Sequence, residues 1–125
     1  MIEIELDNRS GAEADEAAIE ALCRHVLAAE GVAQGDLGVA LVGPDEIRAL
    51  KAEHLGIDEA TDVLSFPIDG VEPLPEGVPR QLGDVVLCPQ VVGEAWRHPL
   101  VHGLLHLLGY DHGDEMELRE EELLA

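Results

Sequence analysis

Apolar and polar residues alternate at the start of the chain: Ile2, Ile4 and Leu6 are separated by glutamates, the period-two pattern of a half-buried strand. From about Ala14 to Glu30 the spacing becomes helical, with Ala18, Ile19, Leu22, Val26 and Leu27 on one stripe, and Gly31 ends the run. Leu37 to Val42 reads as a buried strand. Pro44 and Asp45 open a second helix that runs to about Leu55, with proline at its favoured early position. Val63 to Ile68 is strand-like, and Pro67 places its end at an edge or bend. Asp69 to Arg80 holds three prolines and two glycines and is a loop. Gly83 to Cys88 is a further strand. Pro89 begins a helical stretch interrupted near Pro99, a helix covers about Leu100 to Leu108 and stops at Gly109, and Asp114 to Leu124 forms a short acidic helix. The order β-α-β-α-β-β-α-α predicts an α+β fold, a single small mixed β-sheet with packed helices.

The 125 residues fit one domain, expected to span 1–125 and long enough to bury a real core. Hydrophobic residues make up 46% and charged residues 27%, the balance of a soluble globular protein. No apolar run approaches the length of a bilayer span, so no membrane partner is expected. The start MIEIELDN has neither the basic nor the apolar region of an export signal, which points to the cytoplasm. In that compartment Cys23 and Cys88 are expected as reduced, buried thiols. There are 27 acidic side chains against 7 basic ones, a net charge of −20. Such a surface repels polyanions, and on composition alone it speaks against nucleic-acid binding, where affinity comes largely from Lys and Arg.

The chemistry concentrates in His102-Gly-Leu-Leu-His106-Leu-Leu-Gly109-Tyr-Asp-His112, which holds three of the six histidines. His102 and His106 are four apart, so a helix stacks both rings on one face, where they can chelate one metal ion. Gly109 can take a positive φ, end the helix and swing the chain back, bringing His112 in as a third ligand. Three protein ligands leave a fourth position for water, the mark of a catalytic zinc (Zn2+) site. The His-x3-His-x5-His spacing is zincin-like, but the position that carries the general-base glutamate in zincins is Gly103 here. Peptide hydrolysis by that mechanism is therefore disfavoured.

With Gly103, Leu105, Leu107, Gly109, Tyr110 and Asp111 between its histidines, this block resembles the signature of the YbeY family of single-strand-specific endoribonucleases. Thr61-Asp62-Val63-Leu64-Ser65-Phe66-Pro67 and Leu82-Gly83-Asp84-Val85-Val86 are similar to two further elements of that family, in the same order. The resemblance implies zinc held by His102, His106 and His112, and metal-dependent cleavage of single-stranded RNA. It also implies a role in 16S rRNA 3′-end maturation and ribosome quality control, with the 16S rRNA precursor and the ribosomal small subunit with its basic proteins as partners. Three features depart from the family pattern: Leu55 stands where many members carry an arginine, Ala60 replaces a proline, and the stretch between Cys88 and His102 is short.

Ser65 and Asp111 are the candidate catalytic residues. Ser65 can hydrogen-bond substrate or a ligand, with a strand serine bonded to backbone as the competing reading. Asp111 can orient a ligand histidine, with a turn cap as its competitor. Asp62 and Asp84 stand at strand starts, where acids also cap turns. Tyr110 can support the site or stack on a base, with packing as the competing reading, while Trp96 and Phe66 read as core. His25 and His54 read as surface residues and His98 has no evident partner. Arg48, Lys51, Arg80 and Arg97 are the scarce cations available to phosphates. Two other functions compete: a different metallohydrolase, and a zinc-stabilised protein that binds the ribosome through its acidic surface without cutting RNA.

Overall fold

In the computed structural model, which describes residues 1–57, 61–111 and 113–125, the alternation at the N-terminus becomes strand β1 (Ile2–Asn8). Its isoleucines and Leu6 turn toward the core and its acids toward solvent. β1 pairs in parallel with β2 (Gly35–Leu41), and β2 pairs in parallel with β4 (Gln81–Leu87). β3 (Val63–Pro67) runs antiparallel on the outer edge of β4, giving one mixed sheet in the order β1-β2-β4-β3. The α+β class holds. Pro67 closes β3 opposite Gly83 on that edge strand, the place where a sheet tolerates a missing N–H.

Helix α1 (Glu16–Ala29) starts at Asp15, whose carboxylate accepts from the Ala18 N–H at 3.0 Å. It stops where Gly31 takes φ 76°, with Gly31 N bonded to Ala28 O and Val32 N to Leu27 O. Its buried residues Ile19, Cys23, Val26 and Leu27 join the main core with Leu37, Val39, Val85 and Leu87 of the sheet. Helix α2 (Pro44–Leu55) supplies Ile47 to a second cluster with Val42, Leu64, Val86 and Cys88. These strand residues alternate with those of the main core, so α2 covers the opposite face of the sheet.

The segment after β4 departs from the sequence expectation. Pro89–Val92 forms the short helix α3, and a 3-10 turn follows over Gly93–Ala95. Helix α4 then runs from Arg97 to Leu107 with Pro99 inside it. Proline was expected to break the helix, but it falls in the first turn, where its missing N–H has no intrahelical partner to lose. The break sits instead at Gly93, at φ 55°. α4 packs against β3, β4, α1 and the last helix, α5 (Asp114–Leu124). Leu100, Val101, Leu104, Leu105 and Leu107 are buried, which fixes the helix and sets His102 and His106 on its remaining face.

Cys23 and Cys88 are both buried thiols, and burial pushes Cys23 up to about 12. Among the described residues, no helix is long and apolar enough to cross a membrane.

Candidate metal centre

One turn of α4 brings the His102 and His106 rings to 4.6 Å between centroids, nearly perpendicular, with their Nε2 atoms 3.1 Å apart. Each ring is held at its other nitrogen. His102 Nδ1 lies 3.2 Å from Glu120 Oε1, and His106 Nδ1 lies 2.9 Å from the carbonyl oxygen of Tyr110. Carbonyl and carboxylate oxygens only accept, so these contacts assign the proton of each neutral ring to Nδ1. Both Nε2 atoms then converge on one another, an arrangement that a bound cation or a shared proton between them satisfies. Two ligands at zinc distance in tetrahedral geometry stand about 3.3 Å apart. The pair therefore fits a metal ion by separation, by tautomer and by the carboxylate behind the ligand. His112, the third expected ligand, lies outside the described residues, and among the described residues no set of three metal donors assembles.

The carbonyl that holds His106 is there because of how α4 ends. Gly109, at φ 98°, donates to His106 O, and Tyr110 N donates to Leu105 O, the paired bonds of a glycine C-cap. That turn folds Tyr110 back beside His106. The Tyr110 phenol donates to the Glu30 carboxylate at 3.1 and 3.2 Å. Burial, then this hydrogen bond to Glu30, raises the phenol above its ordinary value and keeps it protonated. Arg119 completes the chain, its Nε 2.9 Å from Glu30 Oε1.

Glu120 was not among the residues singled out by sequence. Its side chain is only 4% exposed, and its second oxygen lies 2.5 Å from His98 Nε2. His98, which had no evident partner in the sequence, is thus tied to the same carboxylate as His102.

The histidines open onto a cleft of about 860 Å³ between α4, the turn after it, β3 and the end of α2. Ser65, Asp62, Asp111, Tyr110, Phe66 and His98 line it, and so do His54 and Leu55. Ser65 Oγ donates to Gly103 O at 2.9 Å, tying β3 to α4. Asp111 is exposed on the cleft wall, while the Nδ1 contacts of His102 and His106 go to Glu120 and Tyr110. Asp62 caps the start of β3, accepting from Val63 N at 2.8 Å. Asp84 stands apart from the cleft, beside Glu3, Glu5 and Asp36. Phe66 is half-buried rather than core and meets the His54 ring edge-on at 4.9 Å, so the surface residue His54 and Phe66 form one wall. Trp96 is half-buried against the core, with the Arg97 guanidinium 4.4 Å above its ring. Arg80 donates to the carbonyls of Gly70 and Glu72, and no Lys or Arg is among the described residues lining the cleft.

The model of the family described as Endoribonuclease YbeY matches residues 3–124. The chain belongs to the YbeY family. The Endoribonuclease YbeY of Halorhodospira halophila is 40% identical to it, over 99% of this chain and 91% of that protein. The Endoribonuclease YbeY of Salinispora tropica is 41% identical, over 94% of this chain and 87% of that protein. The solution structure of TM1509 from Thermotoga maritima superposes with a TM-score of 0.60 at 29% identity, covering 99% of this chain and 87% of that one. The alignment to the Halorhodospira protein runs over 145 positions, more than the 125 residues here, so this YbeY chain omits residues that its relative carries. The packing of α4 explains why its first histidine is followed by glycine. A Cβ on Gly103 would meet Val63 Cγ2 and Val85 Cγ1 at 3.0 Å and Ser65 Oγ at 3.2 Å. The position faces the sheet, where no glutamate could serve the metal.

Proposed function

We propose that this endoribonuclease, as a single domain over residues 1–125, cuts single-stranded RNA with one zinc ion held by His102, His106 and His112. Its substrate would be the 16S rRNA precursor at its 3′ end, in the cytoplasm, beside the small subunit and its basic proteins. The observation that carries the metal is the convergence of two Nε2 atoms whose rings are each fixed at Nδ1 by an acceptor. Bound there, zinc supplies Lewis-acid stabilisation of a phosphoryl oxygen and a more acidic water. The chain's own groups do the rest. Phe66 offers an aromatic face that an unstacked base can reach and a paired base cannot, which favours single strands. Ser65 has its proton committed to Gly103 O and meets substrate as an acceptor only. Asp111, exposed on the cleft wall, is the carboxylate we assign to take a proton from the attacking hydroxyl.

The test is cleavage of a single-stranded RNA by zinc-loaded wild type against His106→Ala prepared identically. The variant is expected to lose at least about 100-fold in rate, as removal of a metal ligand exceeds the tenfold to hundredfold effect of losing its supporting partner. Equal cleavage by both proteins would sink the reading. Zinc binding to wild type without any cleavage would favour the ribosome-binding alternative, for which the −20 charge is the supporting observation.

A further inference from the structure

We propose that α5 is a working part of the metal centre, with Glu120 and Arg119 positioning the two ligands of α4. Glu120 acts on His102 directly; Arg119 acts on His106 through Glu30 and Tyr110. The inference rests on the metal reading above and adds residues outside the histidine block.

The buried stripe of α5 is Met116, Glu120 and Leu123. A leucine at 120 would complete that stripe without desolvating a charge. The carboxylate instead stands 4% exposed, one oxygen 3.2 Å from His102 Nδ1 and the other 2.5 Å from His98 Nε2. A buried carboxylate without hydrogen-bonding partners is strongly unfavourable, so these two imidazoles are what hold it there. In return it fixes the His102 ring, keeps its proton on Nδ1, and raises the basicity of Nε2 toward a cation.

The neighbouring residue serves the second ligand. Arg119 reaches Glu30 Oε1 at 2.9 Å and Ala29 O at 3.1 Å, at the end of α1. Glu30 in turn accepts the Tyr110 phenol, and the Tyr110 carbonyl accepts from His106 Nδ1. Anchoring the Tyr110 ring fixes the carbonyl of the same residue. Consecutive residues of one helix thus stand behind both histidines, on two separate routes. α5 needs no ligand of its own to set the affinity of the site.

The test uses full-length metal-free protein and three variants: Glu120→Gln, Arg119→Ala and Tyr110→Phe. Zinc affinity is read by competition with a chromophoric chelator, and the visible spectrum of the cobalt(II) form reports the ligand field. Thermal unfolding of the metal-free proteins runs alongside. Glu120→Gln keeps the shape and removes the charge. It is expected to bind zinc about tenfold to a hundredfold more weakly with a shifted cobalt spectrum. Its metal-free unfolding midpoint should stay unchanged or rise. Arg119→Ala and Tyr110→Phe are expected to lose affinity several-fold, and Tyr110→Phe carries the test should Glu120→Gln fail to fold. Zinc affinity within twofold of wild type in Glu120→Gln and Tyr110→Phe overturns the proposal, as does a loss that only tracks a lower metal-free midpoint. Failure of wild type itself to bind zinc overturns the metal reading and this inference with it.

Discussion

An added Cβ at Gly103 would press on Val63, Val85 and Ser65 at once, with the sheet behind them. Alanine there gains about 1 kcal/mol of helix propensity but overpacks the seam between α4 and the sheet, at about 1–3 kcal/mol. Gly103→Ala is expected to lower stability by about 1 kcal/mol in denaturant titrations; a more stable variant would show that the seam is looser than the distances imply. At this scale the sequence was informative where chemistry follows from local spacing. His102 and His106, four apart, do share a face, and their Nε2 atoms do meet. Glu120 was hidden because α5 is rich in acids, and one glutamate among many carries no label. Its signal lay in periodicity: Met116, Glu120 and Leu123 occupy one stripe, which puts an acid where an apolar residue belongs. His54 and Phe66 meet across α2 and β3, a contact that no spacing along the chain encodes.

The end of α4 shows how an element can serve function through its cap. Gly109 is at φ 98° with open space around its missing Cβ, so the cost of alanine there is conformational, about 1–2 kcal/mol. Because the same turn delivers the Tyr110 carbonyl to His106, Gly109→Ala is expected to weaken zinc binding as well as stability. Isothermal titration of the metal-free variant would check this, and full zinc affinity in a destabilised variant would separate the cap from the site. The helices and strands themselves were legible because their punctuation is local: Gly31, Pro44 and Gly109 each stand where the chain starts or stops an element. Pro99 misled because proline ends a helix from within but opens one from its first turn, and which applies depends on where the helix begins. The placement of β4 between β2 and β3 depends on contacts far apart in sequence and could not be read from periodicity.

Across the whole molecule, a net charge of −20 surrounds a cleft without Lys or Arg among its described lining residues. Nucleases that grip RNA with basic side chains lose affinity as salt rises, by about 0.7 in log–log slope for each neutralised phosphate. Here the scarce cations are engaged elsewhere: Arg80 by loop carbonyls, Arg119 by Glu30, and Arg97 over Trp96. Salt should therefore relieve repulsion between protein and RNA more than it breaks attraction. KM for a short single-stranded RNA is expected to stay level or fall as salt rises from about 50 to 500 mM. A steep rise in KM over that range would reveal a basic RNA path outside the cleft. The composition argued against an RNA partner and the family argues for one. The two are reconciled if the metal and the aromatic wall, rather than surface cations, supply the grip.

If one zinc ion at His102, His106 and His112 makes this chain a ribonuclease, zinc content and cleavage rise together. The most direct measurement is a zinc titration of metal-free protein, with cleavage of single-stranded RNA followed at every point and His106→Ala titrated in parallel. The expected result is no cleavage without metal, a linear rise that saturates at one zinc per chain, and a flat line for the variant. Cleavage by the metal-free protein, or saturation with zinc that brings no cleavage, would contradict it.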